Sequence, residues 1–128
     1  MIVLDAGVII AAATRSDAHH RRAIELFDDV GDDDVTVNTV TLAEVLVRPA
    51  RDGRESAMLA RLDSLGVAVT EMDPSAALRL ARLRATTGLK LPDCCVLLTA
   101  EQIDGRIATF DDRLAAVARE HGREFVAS

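Results

Sequence analysis

The chain has 128 residues, 15 of them basic and 21 acidic, for a net charge of −6 at pH 7. With 49% hydrophobic and 28% charged residues it has the composition of a globular protein, which excludes a disordered one, and its length suits a single unit over 1–128. Three Phe and no Trp or Tyr argue against base stacking as the main grip on nucleic acid, and no apolar run approaches the roughly 20 residues that span a bilayer.

Met1–Leu4 reads as a buried strand and Gly7–Ala13 as a short apolar helix. Ser16 or Asp17 can cap a helix to about Asp29, with Ala18, Ala23, Leu26 and Phe27 on its apolar side. The acidic stretch around Gly31 is a loop, followed by a second strand over Val35–Val37. A helix over Val40–Val47 should end or bend at Pro49. Glu55–Leu65 has helical spacing at Met58, Leu59, Leu62 and Leu65, and Gly66 can cap its end. Val67–Val69 is a third strand. Asp73-Pro74 starts a helix through about Thr86, with Leu78, Ala81 and Leu83 on its apolar face. Pro92-Asp93 begins another helix, to about Gln102. Arg106–Ala108 is a fourth strand, Asp112–Glu120 a helix, and Glu124–Ala127 a candidate fifth strand. Such alternation predicts a parallel sheet covered on both faces, with ligands bound beyond the carboxyl ends of its strands.

Four acids stand against apolar runs. Asp5 closes Ile2-Val3-Leu4, Glu44 interrupts the run from Val40 to Val47, Asp93 precedes Cys94–Leu98, and Asp111 follows Ile107–Phe110. Each has a structural explanation alone. Asp5 can cap the next helix, and Thr41–Glu44 matches a T-x-x-E capping box, with Arg48 as an i,i+4 ion-pair partner for Glu44. Asp93 suits a helical first turn, and Asp111 or Asp112 can cap the last helix. As a converging set they repel one another and call for a divalent cation. The adjacent His19 and His20 cannot share a helix face and read as surface and packing residues. Arg79, Arg82 and Arg84 read as a solvated face. Adjacent Cys94 and Cys95 read as buried reduced thiols of a cytoplasmic protein. The net charge argues against a general nucleic-acid-binding surface, yet fourteen of the fifteen basic residues are Arg, which leaves room for an Arg-lined groove.

Ile2-Val3-Leu4-Asp5, Thr41-Leu42-Ala43-Glu44-Val45-Leu46, Leu91-Pro92-Asp93 and Ala108-Thr109-Phe110-Asp111-Asp112-Arg113-Leu114, in that order along essentially the whole chain, resemble the PIN-domain ribonucleases. More narrowly they resemble the VapC toxins of type II toxin–antitoxin pairs. The resemblance implies a three-layer α/β/α fold with a central parallel sheet of four to five strands. It also implies a metal-dependent endoribonuclease that leaves a 5′-phosphate and a 3′-hydroxyl. Asp5, Glu44, Asp93 and Asp111 would be its catalytic, metal-binding acids, with Thr109 as a supporting polar residue and Mg2+ or Mn2+ as cofactor. Arg15, Arg48 and Lys90 are candidate cations at the rim.

The implied partners are RNA, a VapB-type antitoxin and a second copy of the chain. One departure is that Ala6 and Gly7 stand where family members often carry Ser, Thr or Asn. It motivates an alternative, a non-catalytic module of the same fold that binds antitoxin or RNA. A receiver-type domain fits poorly, because the only lysine, Lys90, precedes a helix. A haloacid-dehalogenase-type phosphatase wants Asp-x-Asp after the first strand, where this chain has Asp5-Ala6-Gly7.

Overall fold

The computed structural model describes residues 1–126. Its elements run β1 (Ile2–Leu4), α1 (Ala6–Ala13), α2 (His20–Val30), β2 (Val35–Asn38), α3 (Thr39–Arg51), α4 (Glu55–Ser64), β3 (Val67–Thr70), α5 (Ala76–Thr87), α6 (Leu91–Ile103), β4 (Arg106–Ala108) and α7 (Asp112–Glu120). The four strands form one parallel sheet in the order β3-β2-β1-β4. The chain winds outward from β1 through β2 to β3, then returns to place β4 on the other side of β1. The switch in direction therefore lies between β1 and β4, where Leu4 pairs with Ala108 at the carboxyl ends.

Side chains alternate across the sheet, as strand geometry requires. Ile2, Leu4, Val35, Val37 and Ala108 join a core with Val8, Ile9, Leu26, Val45 and Leu62 from α1 to α4. Val3 and Ile107 face the opposite layer, with Leu89, Leu97 and Leu114. Residues Cys94–Ala100 of α6 are all buried, so that helix forms the floor on which Asp93 stands. Gly105 lets β4 leave α6 closely, because a Cβ there would lie 2.8 Å from the Met1 carbonyl oxygen. Among the described residues no helix is long and apolar enough to cross a membrane.

Several local expectations shift. Helix α2 starts at His20, after Asp17 Oδ1 accepts the His19 N–H at 2.8 Å, and Ala18 is exposed ahead of it. Helix α3 passes Pro49 and ends at Arg51; a proline so near the end costs few intrahelical bonds, and its carbonyl accepts the Arg54 N–H at 2.8 Å. Helix α5 turns Ala76, Leu80 and Leu83 inward and leaves Leu78 59% exposed, so Leu78 and Ala81 are not part of its packed face. Leu59 of α4 is also exposed. Arg79 pairs with Glu101, and Arg84 donates to the Leu89 carbonyl at 2.7 Å, so only Arg82 of that cluster is simply solvated. At the far edge, Glu124 makes a single parallel bridge to Ile107 in place of a fifth strand, and Ala127 lies outside the described residues.

Candidate active site

Asp5 is the first residue beyond β1. Its backbone N–H donates to the Ala108 carbonyl at 3.0 Å, which anchors it across the β1–β4 pair. As N-cap of α1 it accepts the Ala6 N–H at 2.9 Å through Oδ1, while Oδ2 accepts the Thr109 hydroxyl at 2.7 Å. Thr109 follows β4, and its oxygen also accepts the Asp111 N–H at 3.0 Å. One hydroxyl thus ties the ends of both strands. The orienting group that Ala6 and Gly7 cannot provide comes from the neighbouring strand.

Asp111 caps α7, with Oδ1 accepting the Leu114 N–H at 2.9 Å. Asp112 lies one residue into that helix and lines a separate hollow with Arg22 and Phe125. On the other side of the sheet the cap of α3 is Asn38, whose Oδ1 accepts the Thr41 N–H at 2.8 Å. Thr41 is a buried residue inside the helix, so the expected capping box does not form. Among the described residues Glu44 also makes no ion pair with Arg48. Glu44 is left on the exposed face of α3 without a structural partner. Asp93 is half-buried in the first turn of α6, and among the described residues its carboxylate likewise has no hydrogen bond.

Electrostatics link the four. Burial pushes the Asp5 carboxyl above the ordinary range; the bonds from Thr109 and Ala6 partly oppose this, and the charge of Asp111 adds to it. Partial burial raises Glu44, and the charges of Asp5 and Asp93 raise it further. Asp93 is raised by burial and then by Asp5 and Asp111, while Lys90 and Arg113 pull it down. The fold therefore couples Asp5 to Asp111, Glu44 to Asp5 and Asp93, and Asp93 to Asp5 and Asp111, around the carboxyl end of the β1–β4 switch. Asp112 is absent from those interactions. Among the described residues no three of these acids are drawn in tightly enough to grip a metal ion as they stand. The donor set itself, four carboxylates with neither thiolate nor imidazole, suits a hard divalent cation.

The histidines take no part. His20 Nδ1 lies 2.8 Å from the Ala11 carbonyl oxygen, and His19 packs against the Phe110 ring. Arg15 and Arg48 share a groove with Glu44, and Lys90 does not line it. Arg54 and Arg61 of the same groove carry no motif that marks them in the sequence, and Arg113, whose charge reaches Asp93, stands within the Ala108–Leu114 motif without a role assigned to it there.

A family model for the PIN domain matches residues 2–120. The chain belongs to that family. Domains of this family work with divalent metal ions, in keeping with the four acids gathered here. The fold of this chain also matches solved structures. The VapC20 toxin of Mycobacterium tuberculosis, a Sarcin-Ricin loop cleaving toxin, superimposes with a TM-score of 0.81 at 17% identity, over 100% of both chains. A chain of a toxin–antitoxin complex from Klebsiella pneumoniae matches with a TM-score of 0.69 at 21% identity, over 87% of each chain. At such identities the likeness is one of fold. No curated protein matches the sequence.

Proposed function

We propose that this PIN domain is a metal-dependent endoribonuclease, the toxin of a type II toxin–antitoxin pair, acting in the cytoplasm. The observation that carries the reading is the convergence of Asp5, Glu44, Asp93 and Asp111 at the β1–β4 switch, where charge repulsion and burial raise three of them. Stability alone does not explain that arrangement. Among the described residues neither Glu44 nor Asp93 has a hydrogen bond to its carboxylate; Lys90 and Arg113 offset part of the repulsion at Asp93, and at Glu44 a cation would have to compensate it.

The four acids would hold Mg2+, with Mn2+ as an alternative. Bound there, the ion supplies Lewis acidity, lowering the pKa of a bound water and offsetting charge on the phosphoryl oxygens. The chain's own residues do the rest. Thr109 fixes the direction of the Asp5 carboxylate, and the cap to Leu114 fixes that of Asp111. Among the described residues Glu44 and Asp93 carry no such tie, and their charge attracts the cation. Lys90 and Arg113 temper the field around Asp93 and favour an approaching phosphate. The non-catalytic alternative drew its support from the missing hydroxyl after Asp5, and Thr109 supplies one.

An antitoxin and a second copy of the chain are the expected protein partners. The Klebsiella pneumoniae complex supports the first by analogy of fold. Exposed Val40 and Val47 on α3, with Leu59 on α4, offer apolar surface for either.

The test is to incubate purified, antitoxin-free protein with labelled total RNA in Mg2+, Mn2+ or EDTA, beside an Asp93→Asn variant. Discrete fragments that need metal and disappear in the variant are expected. Folded protein that cleaves nothing in either metal would move the reading to the binding module.

A further inference from the structure

Beside Glu44 a groove of about 880 Å³ runs between α1, α3 and α4. Four arginines line it: Arg15 after α1, Arg48 in the last turn of α3, Arg54 just ahead of α4, and Arg61 in the last turn of α4. Two aspartates oppose them, Asp17 and Asp52, and Asp17 already accepts the His19 N–H. Outside the groove three arginines are ion-paired, Arg79 with Glu101, Arg119 with Glu124 and Arg123 with Asp104. Four more, Arg22, Arg84, Arg106 and Arg113, contact an aromatic ring or a backbone carbonyl, which leaves Arg21, Arg51 and Arg82 solvated. Among the described residues none of the four groove guanidinium groups has a hydrogen-bond or ion-pair partner.

Stability does not account for all of them. Arg48 and Arg61 stand near helix C-termini, where a positive charge is favourable. Arg54 is the N-cap residue of α4, makes no side-chain cap bond, and puts its charge at the wrong end of the helix dipole. Arg15 lies on no helix. Unpaired guanidinium groups concentrated in one groove of a chain with a net charge of −6 select an anion, and their fork geometry suits phosphate. No aromatic side chain lines the groove, so bases find no stacking platform there. Its volume lies within the about 300–1,000 Å³ of drug-sized ligand pockets, room for a few nucleotides of one strand and not for a duplex.

We propose that this groove is the track along which the phosphate backbone of single-stranded RNA reaches Glu44, gripped without regard to sequence. The proposal rests on the ribonuclease reading and adds the direction from which substrate enters. An acidic protein segment would satisfy the same cations, but continuity with the acid site favours RNA.

The test measures binding of a labelled, mixed-sequence single-stranded RNA in EDTA across a salt series. Wild type is compared with the double variant Arg54→Gln/Arg61→Gln, and with Arg21→Gln/Arg82→Gln, which removes equal charge outside the groove. The groove variant is expected to bind about tenfold more weakly, with a salt slope shallower by about 1.4, or roughly 0.7 for each lost phosphate contact. Unrelated RNA sequences should lose equally, and in Mg2+ the variant should raise KM and spare kcat. Equal losses in both double variants, an unchanged salt slope, or a loss confined to one sequence would overturn the track. So would a groove variant that keeps RNA but releases a polyglutamate peptide held by wild type. If wild type cleaves RNA and the groove variant is indifferent, the track fails alone. If wild type neither binds nor cleaves RNA, the ribonuclease reading fails and takes the track with it.

Discussion

The four acids divide into a tied pair and a loose pair. Asp5 and Asp111 stand at the ends of β1 and β4, each committed to a helix cap and joined through the Thr109 hydroxyl. Glu44 and Asp93 project from α3 and α6 with no hydrogen bond to either carboxylate among the described residues, and each is raised by partial burial and then by charges from the set. The strand-end pair is built like a frame, with positions fixed whether or not a cation is present. The helix-borne pair is built to respond to charge. This division predicts that substitutions in the two pairs act in opposite directions on the metal-free protein.

The largest effect should come from the link inside the frame. Thr109→Val keeps the shape and removes the hydroxyl, so Asp5 loses a donor and the Asp111 N–H loses an acceptor. The expected cost is about 1–3 kcal/mol of stability, together with a roughly 10- to 100-fold loss of Mg2+ affinity of the kind seen when a ligand loses its orienting partner. Thr109→Ser should restore most of both. Thermal melts and metal titrations on the three proteins decide the matter, and a valine variant as stable and as metal-avid as wild type would show that the frame is not held by Thr109.

The sequence makes the frame half legible. Asp5 and Asp111 follow short apolar runs, which is enough to place them at strand ends. That β1 and β4 are neighbours, and that a threonine on one reaches the carboxylate on the other, depends on strand order, which a local pattern does not carry. Thr109 is marked in the sequence only through the family resemblance, and that its hydroxyl reaches Asp5, 104 residues away in the chain, is not. Glu44 is obscured differently. Thr41–Glu44 has the letters of a capping box, but Asn38, a strong capping residue three positions earlier, takes the role and frees Glu44. In α5 the apolar residues offer two stripes, and only packing on α6 selects Ala76, Leu80 and Leu83 over Leu78. The groove arginines, spread over a loop and two helices, come together only in three dimensions.

The loose pair should reveal itself through pH. Asp5, Glu44 and Asp93 have folded-state values above the ordinary carboxylate range, so from about pH 4 upward the native state holds more protons than the unfolded chain. The slope of stability with pH is then negative. In EDTA these groups favour the fold at low pH and lose that contribution as pH rises through the raised values. Asp93→Asn removes one titrating group and the repulsion it feels, so its melting temperature in EDTA should exceed that of wild type by a few degrees near pH 7. The gain should fade towards pH 4. Asp5→Asn should show no such gain, because the amide forces either the Ala6 N–H or the Thr109 hydroxyl proton to give up its acceptor. Mg2+ should reverse the order, stabilising wild type at neutral pH and leaving Asp93→Asn behind. An Asp93→Asn protein with the wild-type pH slope would contradict the charge coupling inferred here.

The smallest expected effect separates two duties carried by one side chain. Asp111 caps α7 and also raises Asp5 and Asp93 by its charge. Asparagine caps a helix about as well as aspartate, so Asp111→Asn should change stability by only a few tenths of a kcal/mol, whereas Asp111→Ala should cost about 1 kcal/mol. If the charge helps hold a cation, the two variants should lose RNA cleavage alike, despite their different melting temperatures. If Asp111→Asn cleaves as wild type does and only Asp111→Ala is weakened, the residue is a cap and nothing more. The cation site would then be carried by Asp5, Glu44 and Asp93 alone, with a single tied acid between two loose ones.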